Sequence, residues 1–168
     1  LDYFDELFPD AYCELNHETD FQLLVAVMLS AQTTDKKVNQ LTETLFKKYP
    51  TVEAVSQASL SQLQEDIKTI GLYRNKAKNL LAMANVLIEQ YDGKVPSGQK
   101  QLESLPGVGR KTANVVRSVA FDIPAFAVDT HVERIAKRLG FAKKDDSVLA
   151  VEKKLCRSIE RSRWNKSH

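Results

Sequence analysis

Cysteine is nearly missing from this chain: Cys13 and Cys156 are the two among 168 residues, too few for a disulfide framework. No two Cys or His residues stand at metal-ligand spacing, so no protein metal site is expected and both thiols should be free. Long apolar runs are also lacking. Nothing approaches the roughly 20 apolar residues that a bilayer span needs, and Leu1 to Asp10 does not show the basic-then-apolar order of a signal peptide. These absences imply an intracellular, cytoplasmic protein with no membrane segment. Sustained period-two alternation is missing too, which removes the signal for strands. Basic charge is scarce only in the first part of the chain. Residues 1–66 carry 4 Lys or Arg against 12 Asp or Glu, whereas residues 67–168 carry 20 against 10. A net charge of +2 therefore hides an electropositive second half. That is the sign needed to face phosphates, although solvated helix faces produce similar counts.

What is present is helical periodicity over a composition that is 43% hydrophobic, enough for a sizeable core at this length. Phe21 to Gln32 is apolar nearly all round after Thr19 and Asp20, which predicts a central buried helix. A second helix is expected from about Asp35 to Lys48, stopped by Pro50, and a short one from Thr51 to Gln57. Ser59 and Gln62 form a capping box for a helix reaching about Thr69. Tyr73 to Tyr91 reads as a long amphipathic helix ended by Asp92-Gly93, and Gln99 to Ser104 as a short one. The last three helices are expected at Arg110 to Phe121, Asp129 to Leu139 and Ser147 to about Arg161, the last capped by Asp145 or Asp146.

The segment Leu105-Pro106-Gly107-Val108-Gly109-Arg110-Lys111-Thr112-Ala113-Asn114-Val115 follows one helix and opens another, the order of a helix-hairpin-helix. Its glycines permit turn conformations closed to residues with side chains. A phosphate can then lie against free N–H groups at the following helix start, which positions nucleic acid without reading its sequence. The same residues can also be read as a plain helix connection. A P-loop is ruled out by the spacing of the glycines ahead of Lys111.

Four motifs in order extend this reading. LSAQTTD at Leu29 to Asp35, IGLYRNKA at Ile70 to Ala77, LPGVGRKTANVV at Leu105 to Val116 and VDTH at Val128 to His131 together resemble the endonuclease III family over nearly the whole chain. The resemblance implies an all-α helix-hairpin-helix DNA glycosylase fold in which two helical lobes flank a DNA-binding cleft. Residues 20–125 or so would form a six-helix-type lobe carrying the hairpin, with 1–19 and 126–168 contributing to the second lobe. It implies a base-excision-repair N-glycosylase with AP lyase activity that removes oxidised pyrimidines. The partner would be double-stranded DNA bearing a damaged base or an abasic site, met by a monomer at the nucleoid.

In this family pattern Lys111 is the amine that traps the deoxyribose, and Asp129 stabilises the developing cation and moves protons to and from it. A free ammonium cannot attack, so its charge must be disfavoured, by the helix N-terminus, by neighbouring Arg110 and by partial desolvation. Gly107, Val108, Gly109, Arg110, Thr112 and His131 are implied DNA contacts. Gln32 and Leu72 match the residues that fill the space left by an extruded base. Two departures stand out. Asp122 occupies a place where glycine is common in the family. The chain also ends at Trp164-Asn165-Lys166-Ser167-His168 and begins at Leu1, which is read as truncation: the family's 4Fe-4S cluster cannot form on these residues and is expected only with the missing cysteine segment. Two alternatives stay open. A monofunctional glycosylase of the same superfamily would lack the Lys, and a non-catalytic module would use the hairpin only as a phosphate clamp.

Overall fold

The computed structural model describes residues 13–166, and every regular element among them is helical. The helices are α1 (Asp20–Leu29), α2 (Asp35–Lys48), α3 (Val52–Ser56), α4 (Leu60–Asp66), α5 (Tyr73–Tyr91), α6 (Gln99–Glu103), α7 (Arg110–Ala120), α8 (Thr130–Arg138) and α9 (Val148–Ser158), followed by a 3₁₀ turn, Arg161–Lys166. Local chemistry explains the starts. Thr19, Thr51, Ser59, Asp129 and Ser147 each turn a side-chain oxygen onto N–H groups of the first helical turn, which meets donors that the helix itself leaves unpaired.

Phe21 through Leu29 are buried without a break, so α1 has no solvent face. It packs on α2, α5 and α7, while α3 and α4 lie on α5 and α6 on α7. Together these helices enclose one apolar cluster, with Leu23, Leu24, Leu63, Leu80, Met83 and Leu87 at its centre. A second, smaller cluster joins α8 to α9 through Phe126, Val128, Ala136, Val151 and Leu155. The connecting segment serves both. Ala127 packs into the first cluster while Phe126 and Val128 pack into the second, the alternation of an extended chain.

Several boundaries differ from the sequence expectations. α1 stops at Leu29, with Ser30 as its cap, so Gln32 lies outside the helix. α4 ends at Asp66, because Ile67 turns out of helical register to enter the core. The cap of α9 is Ser147, whose hydroxyl accepts the Ala150 N–H, and not Asp145 or Asp146. Asp146 instead accepts from the Lys143 N–H and the Lys154 ammonium, each at 2.6 Å. α9 ends at Ser158, where Ile159 becomes extended and receives the Trp164 indole N–H on its carbonyl. Residues 13–19, expected with the second lobe, make contacts with the first cluster. Leu15 is part of its core, and Asn39 of α2 binds the Glu14 carbonyl and the Asn16 N–H. The rest of that expectation, residues 1–12, lies outside the described residues.

A bidentate ion pair ties the two clusters. Arg110, the first residue of α7, donates to both carboxylate oxygens of Glu152 on α9 at 2.7 Å each, and more weakly to Glu103 at 3.4 Å. Glu152 is only 8% exposed, so it depends on this partner. Removing one member of such a pair strands the other, whereas removing both need not. Arg110→Met is therefore expected to lower stability by about 2 kcal/mol, discounted for the partial exposure of the guanidinium. Arg110→Met with Glu152→Met should cost less than Arg110→Met alone. Chemical denaturation of the three variants checks this, and additive losses would contradict it.

Candidate active site

The hairpin turn between α6 and α7 is built around Gly107. Its φ is +78, and a Cβ there would lie 2.9 Å from the Asn79 Cβ of α5 and 3.0 Å from the Met28 sulfur of α1. Glycine is required on both counts. Val108 points inward and is buried in the core, so its side chain anchors the turn and does not face solvent. Gly109 corrects the expectation that both glycines serve the turn conformation. Its φ of −93 suits any residue, and a Cβ would meet nothing within 4 Å. It is the N-cap of α7, and no side chain caps that end. The first N–H groups of α7 thus receive no capping side chain, and the positive end of the helix dipole lies behind them.

Lys111 stands in this first turn, with 53% of its side chain exposed. Its Nζ lies 3.5 Å from Oδ2 of Asp129, the residue that begins α8. The structure thus brings together side chains from the two clusters. Asp129 divides its carboxylate. Oδ1 accepts the N–H groups of His131 and Val132 at 2.9 Å each, which caps α8, and Oδ2 is left to face Lys111. Burial works to raise the Asp129 pKa, but the Val132 N–H, the charge of Lys111 and the His131 N–H outweigh it, and the carboxyl is held below its ordinary range. The carboxylate is therefore the stable form at neutral pH. The segment leading to it is fixed by Asn114 of α7, which donates to the Phe126 carbonyl at 2.8 Å in the interior.

The remaining sequence candidates distribute around this pair. Thr112 is half-buried on the first turn of α7. His131 is exposed on α8, with Nδ1 3.1 Å from the Arg134 guanidinium. Arg110 is at the hairpin, with its head group engaged by Glu152. Gln32 and Leu72 are exposed turn residues with φ of 56 and 57. A left-handed leucine that is 58% exposed is unusual on both counts. Such strain persists only where the surroundings enforce it. Lys76, which the sequence reading did not single out, lies buried between these two turns. Its signal was its register: Lys76 shares a stripe with Leu80, Met83 and Leu87, the buried face of α5.

The residues present do not fit an iron–sulfur cluster. Cys13 packs against the first apolar cluster and Cys156 against the second. Burial pushes both thiols up, away from the thiolate form. Among the described residues no group of three or more His, Cys, Asp or Glu is placed to hold a metal ion, and no helix is long and apolar enough to cross a membrane.

Residues 25–161 match the family model described as HhH-GPD superfamily base excision DNA repair protein. The endonuclease III of Bacillus subtilis is 55% identical over the whole chain, which covers 77% of that relative's length. The endonuclease III of Rickettsia felis is 47% identical over 98% of the chain and 76% of its own length. Among solved structures, a trapped endonuclease III–DNA covalent intermediate, in an estranged-adenine complex, superposes with a TM-score of 0.97 at 54% identity, covering 99% of this chain and 78% of that one. A thermostable thymine-DNA glycosylase superposes with a TM-score of 0.73 at 27% identity, covering 90% and 75%.

Two outcomes follow from the site's geometry. Gly107→Ala must pay for a left-handed backbone and for overlap with Asn79 and Met28, an expected loss of about 3 kcal/mol. Gly109→Ala meets neither obstacle and should cost less than about 1 kcal/mol, the usual range for an exposed cap; thermal unfolding compares them. Asp129→Asn keeps a capping oxygen but removes the charge. A depressed folded pKa contributes stability that is complete above the ordinary Asp value and is lost as pH falls through the folded value. The stability gap between the parent and Asp129→Asn should thus be widest near neutrality and close in acid, and a gap that widened in acid would reverse the assigned sign.

Proposed function

The chain belongs to the endonuclease III family of HhH-GPD base excision DNA repair proteins, and from that premise we propose how its own residues carry out base removal and strand cleavage. The observation that carries the reading is the approach of Lys111 Nζ to Asp129 Oδ2, 3.5 Å apart at the uncapped start of the hairpin helix. The substrate is duplex DNA with a damaged base, an oxidised pyrimidine, or with an abasic site, met inside the cell at its DNA. The N–H groups at the start of α7 receive a phosphate of the damaged strand, and the bare Gly109 lets it approach. Arg110 contributes through its backbone N–H, while its side chain holds the hairpin against the second cluster.

With the damaged nucleotide extruded, the Lys111 amine attacks C1′ of its deoxyribose. A C–N bond forms to Nζ, and the glycosidic bond breaks with its electron pair leaving on the base, which takes up a proton. The positive charge that develops at C1′ lies beside Asp129 Oδ2, a carboxylate held ionised by its capping bonds. The attacking amine must be accessible and neutral, and two features serve this. One is steric access, since the Lys111 side chain is half-exposed beside the uncapped helix start, and the other is that DNA lying over the site removes the water that stabilises an ammonium. Opening of the sugar ring yields a Schiff base on Lys111. Loss of a C2′ proton then expels the 3′ phosphate by β-elimination, and water releases the amine. Gln32 and Leu72 fill the vacated stack, which fits their exposure and their held, left-handed backbones.

A monofunctional glycosylase has no use for an amine at position 111, and a clamp has no use for Asp129 Oδ2 facing it. Lys111→Gln should abolish borohydride-trappable adduct and lower strand cleavage by at least about 1000-fold, while DNA affinity changes by less than about threefold, because the backbone contacts remain. Trapping and filter binding on one abasic duplex provide both readouts. A stable adduct formed by Lys111→Gln would assign the nucleophile elsewhere.

A further inference from the structure

Lys76 is 6% exposed and, among the described residues, is paired with no carboxylate. Its three ammonium donors go to neutral oxygens: the Leu29 carbonyl at 2.9 Å, the Ala31 carbonyl at 2.6 Å and the Thr33 hydroxyl at 3.1 Å. Leu29 is the last residue of α1, while Ala31 and Thr33 flank Gln32. Its own backbone N–H donates to the Leu72 carbonyl at 3.0 Å, closing the first turn of α5. A single residue thus holds Leu72 through its main chain and both neighbours of Gln32 through its side chain. Burying an ammonium is costly, and desolvation pushes its pKa down. An apolar side chain of the same length would fill the space without that cost. What it could not do is fix the direction of two carbonyls and a hydroxyl. The position also suits a cation, since it lies at the negative end of α1.

We propose that Lys76 is a positioning residue for base extrusion, whose ammonium locks the 30–33 turn to the start of α5 so that Gln32 and Leu72 enter the duplex as one rigid unit. This rests on the reading of those two residues as the pair that fills the vacated stack. Extruding a paired base costs unstacking energy that a precisely placed pair recovers, whereas an abasic site has no base to expel. Loosening the pair should therefore slow the enzyme on one substrate far more than on the other.

Single-turnover cleavage by the full-length protein is compared on two duplexes, one carrying 5-hydroxyuracil opposite guanine and one with a preformed abasic site. Lys76→Met is expected to lose about tenfold on the damaged base and less than about threefold on the abasic site. Added to Gln32→Ala with Leu72→Ala, it should cause no further loss, because its effect passes through those residues. Thr33→Val removes one of the three contacts from the other side and should show the same substrate split at smaller size, which keeps the test open if Lys76→Met does not fold. Equal losses on both duplexes, or a loss by Lys76→Met that multiplies with that of the double variant, would overturn the proposal. If the Gln32→Ala, Leu72→Ala variant itself loses equally on both, the underlying reading of the pair has failed. A selective loss there without one in Lys76→Met or Thr33→Val refutes the role of Lys76 alone.

Discussion

The last carbonyls of a helix need partners from outside it, and α1 is buried on every side from Phe21 to Leu29. The protein must supply the partners itself. At the C-terminal end of α1 it does so with the Ser30 N–H, which returns to Ala26, and with the Lys76 ammonium on Leu29. Meeting that demand brings the start of α5 against the end of α1, with Lys76 bonded both to the neighbours of Gln32 and to the Leu72 carbonyl. The same helix governs the hairpin. Met28 and Asn79 leave no room for a side chain at position 107, so the turn can close only on glycine. Both surfaces read here as DNA-facing are thus consequences of packing around one apolar helix, and a change in that packing would move them together.

The second constraint is the assembly of a site from two apolar clusters. Lys111 rides on the first and Asp129 on the second, so their separation is only as well defined as the contact between clusters. Arg110 and Glu152 define it one residue from Lys111, and Asn114 holds the crossing segment from the interior. Asp129 then orients its carboxylate with bonds that any helix start must make. Because capping uses Oδ1, the geometry of Oδ2 is fixed without a dedicated residue. The cap and the approach to Lys111 coexist in one side chain because a carboxylate has two oxygens.

Much of this was legible in the sequence where signals are local. Tyr73 to Tyr91 and Asp35 to Lys48 were readable from periodicity and from the breakers Asp92-Gly93 and Pro50, and Thr19 and Ser59 act as the caps their chemistry implies. The Lys111–Asp129 pairing was legible only through family resemblance, since neither residue announces itself alone. Illegible features depend on partners distant in the chain. Arg110 finds Glu152 across 42 residues, and Lys76 finds Leu29 across 47. Neither pairing has a periodic signature. The two glycines of the hairpin looked equivalent in sequence, yet only Gly107 is demanded by the fold; the difference lies in what surrounds them.

The left-handed residues with side chains show how the strain is shared. Asp92 ends α5 beside Gly93, an ordinary helix terminus in which the Gly93 N–H reaches back to the Leu87 carbonyl. Asp122, at φ 49, compensates the backbone cost through its side chain: Asn165 donates to its carboxylate at 3.3 Å and also accepts the Ala125 N–H. Aspartate tolerates this region better than most residues, so the loop before Asp129 gains a tie to the C-terminal turn that glycine could not make. Gln32 and Leu72 have no such local compensation in their own side chains, which project from the surface. Each left-handed residue of this kind costs on the order of 1 kcal/mol or more, and glycine at either place would avoid it. The fold accepts that cost at both places, where an amide and an apolar side chain stand exposed on turns that Lys76 bonds.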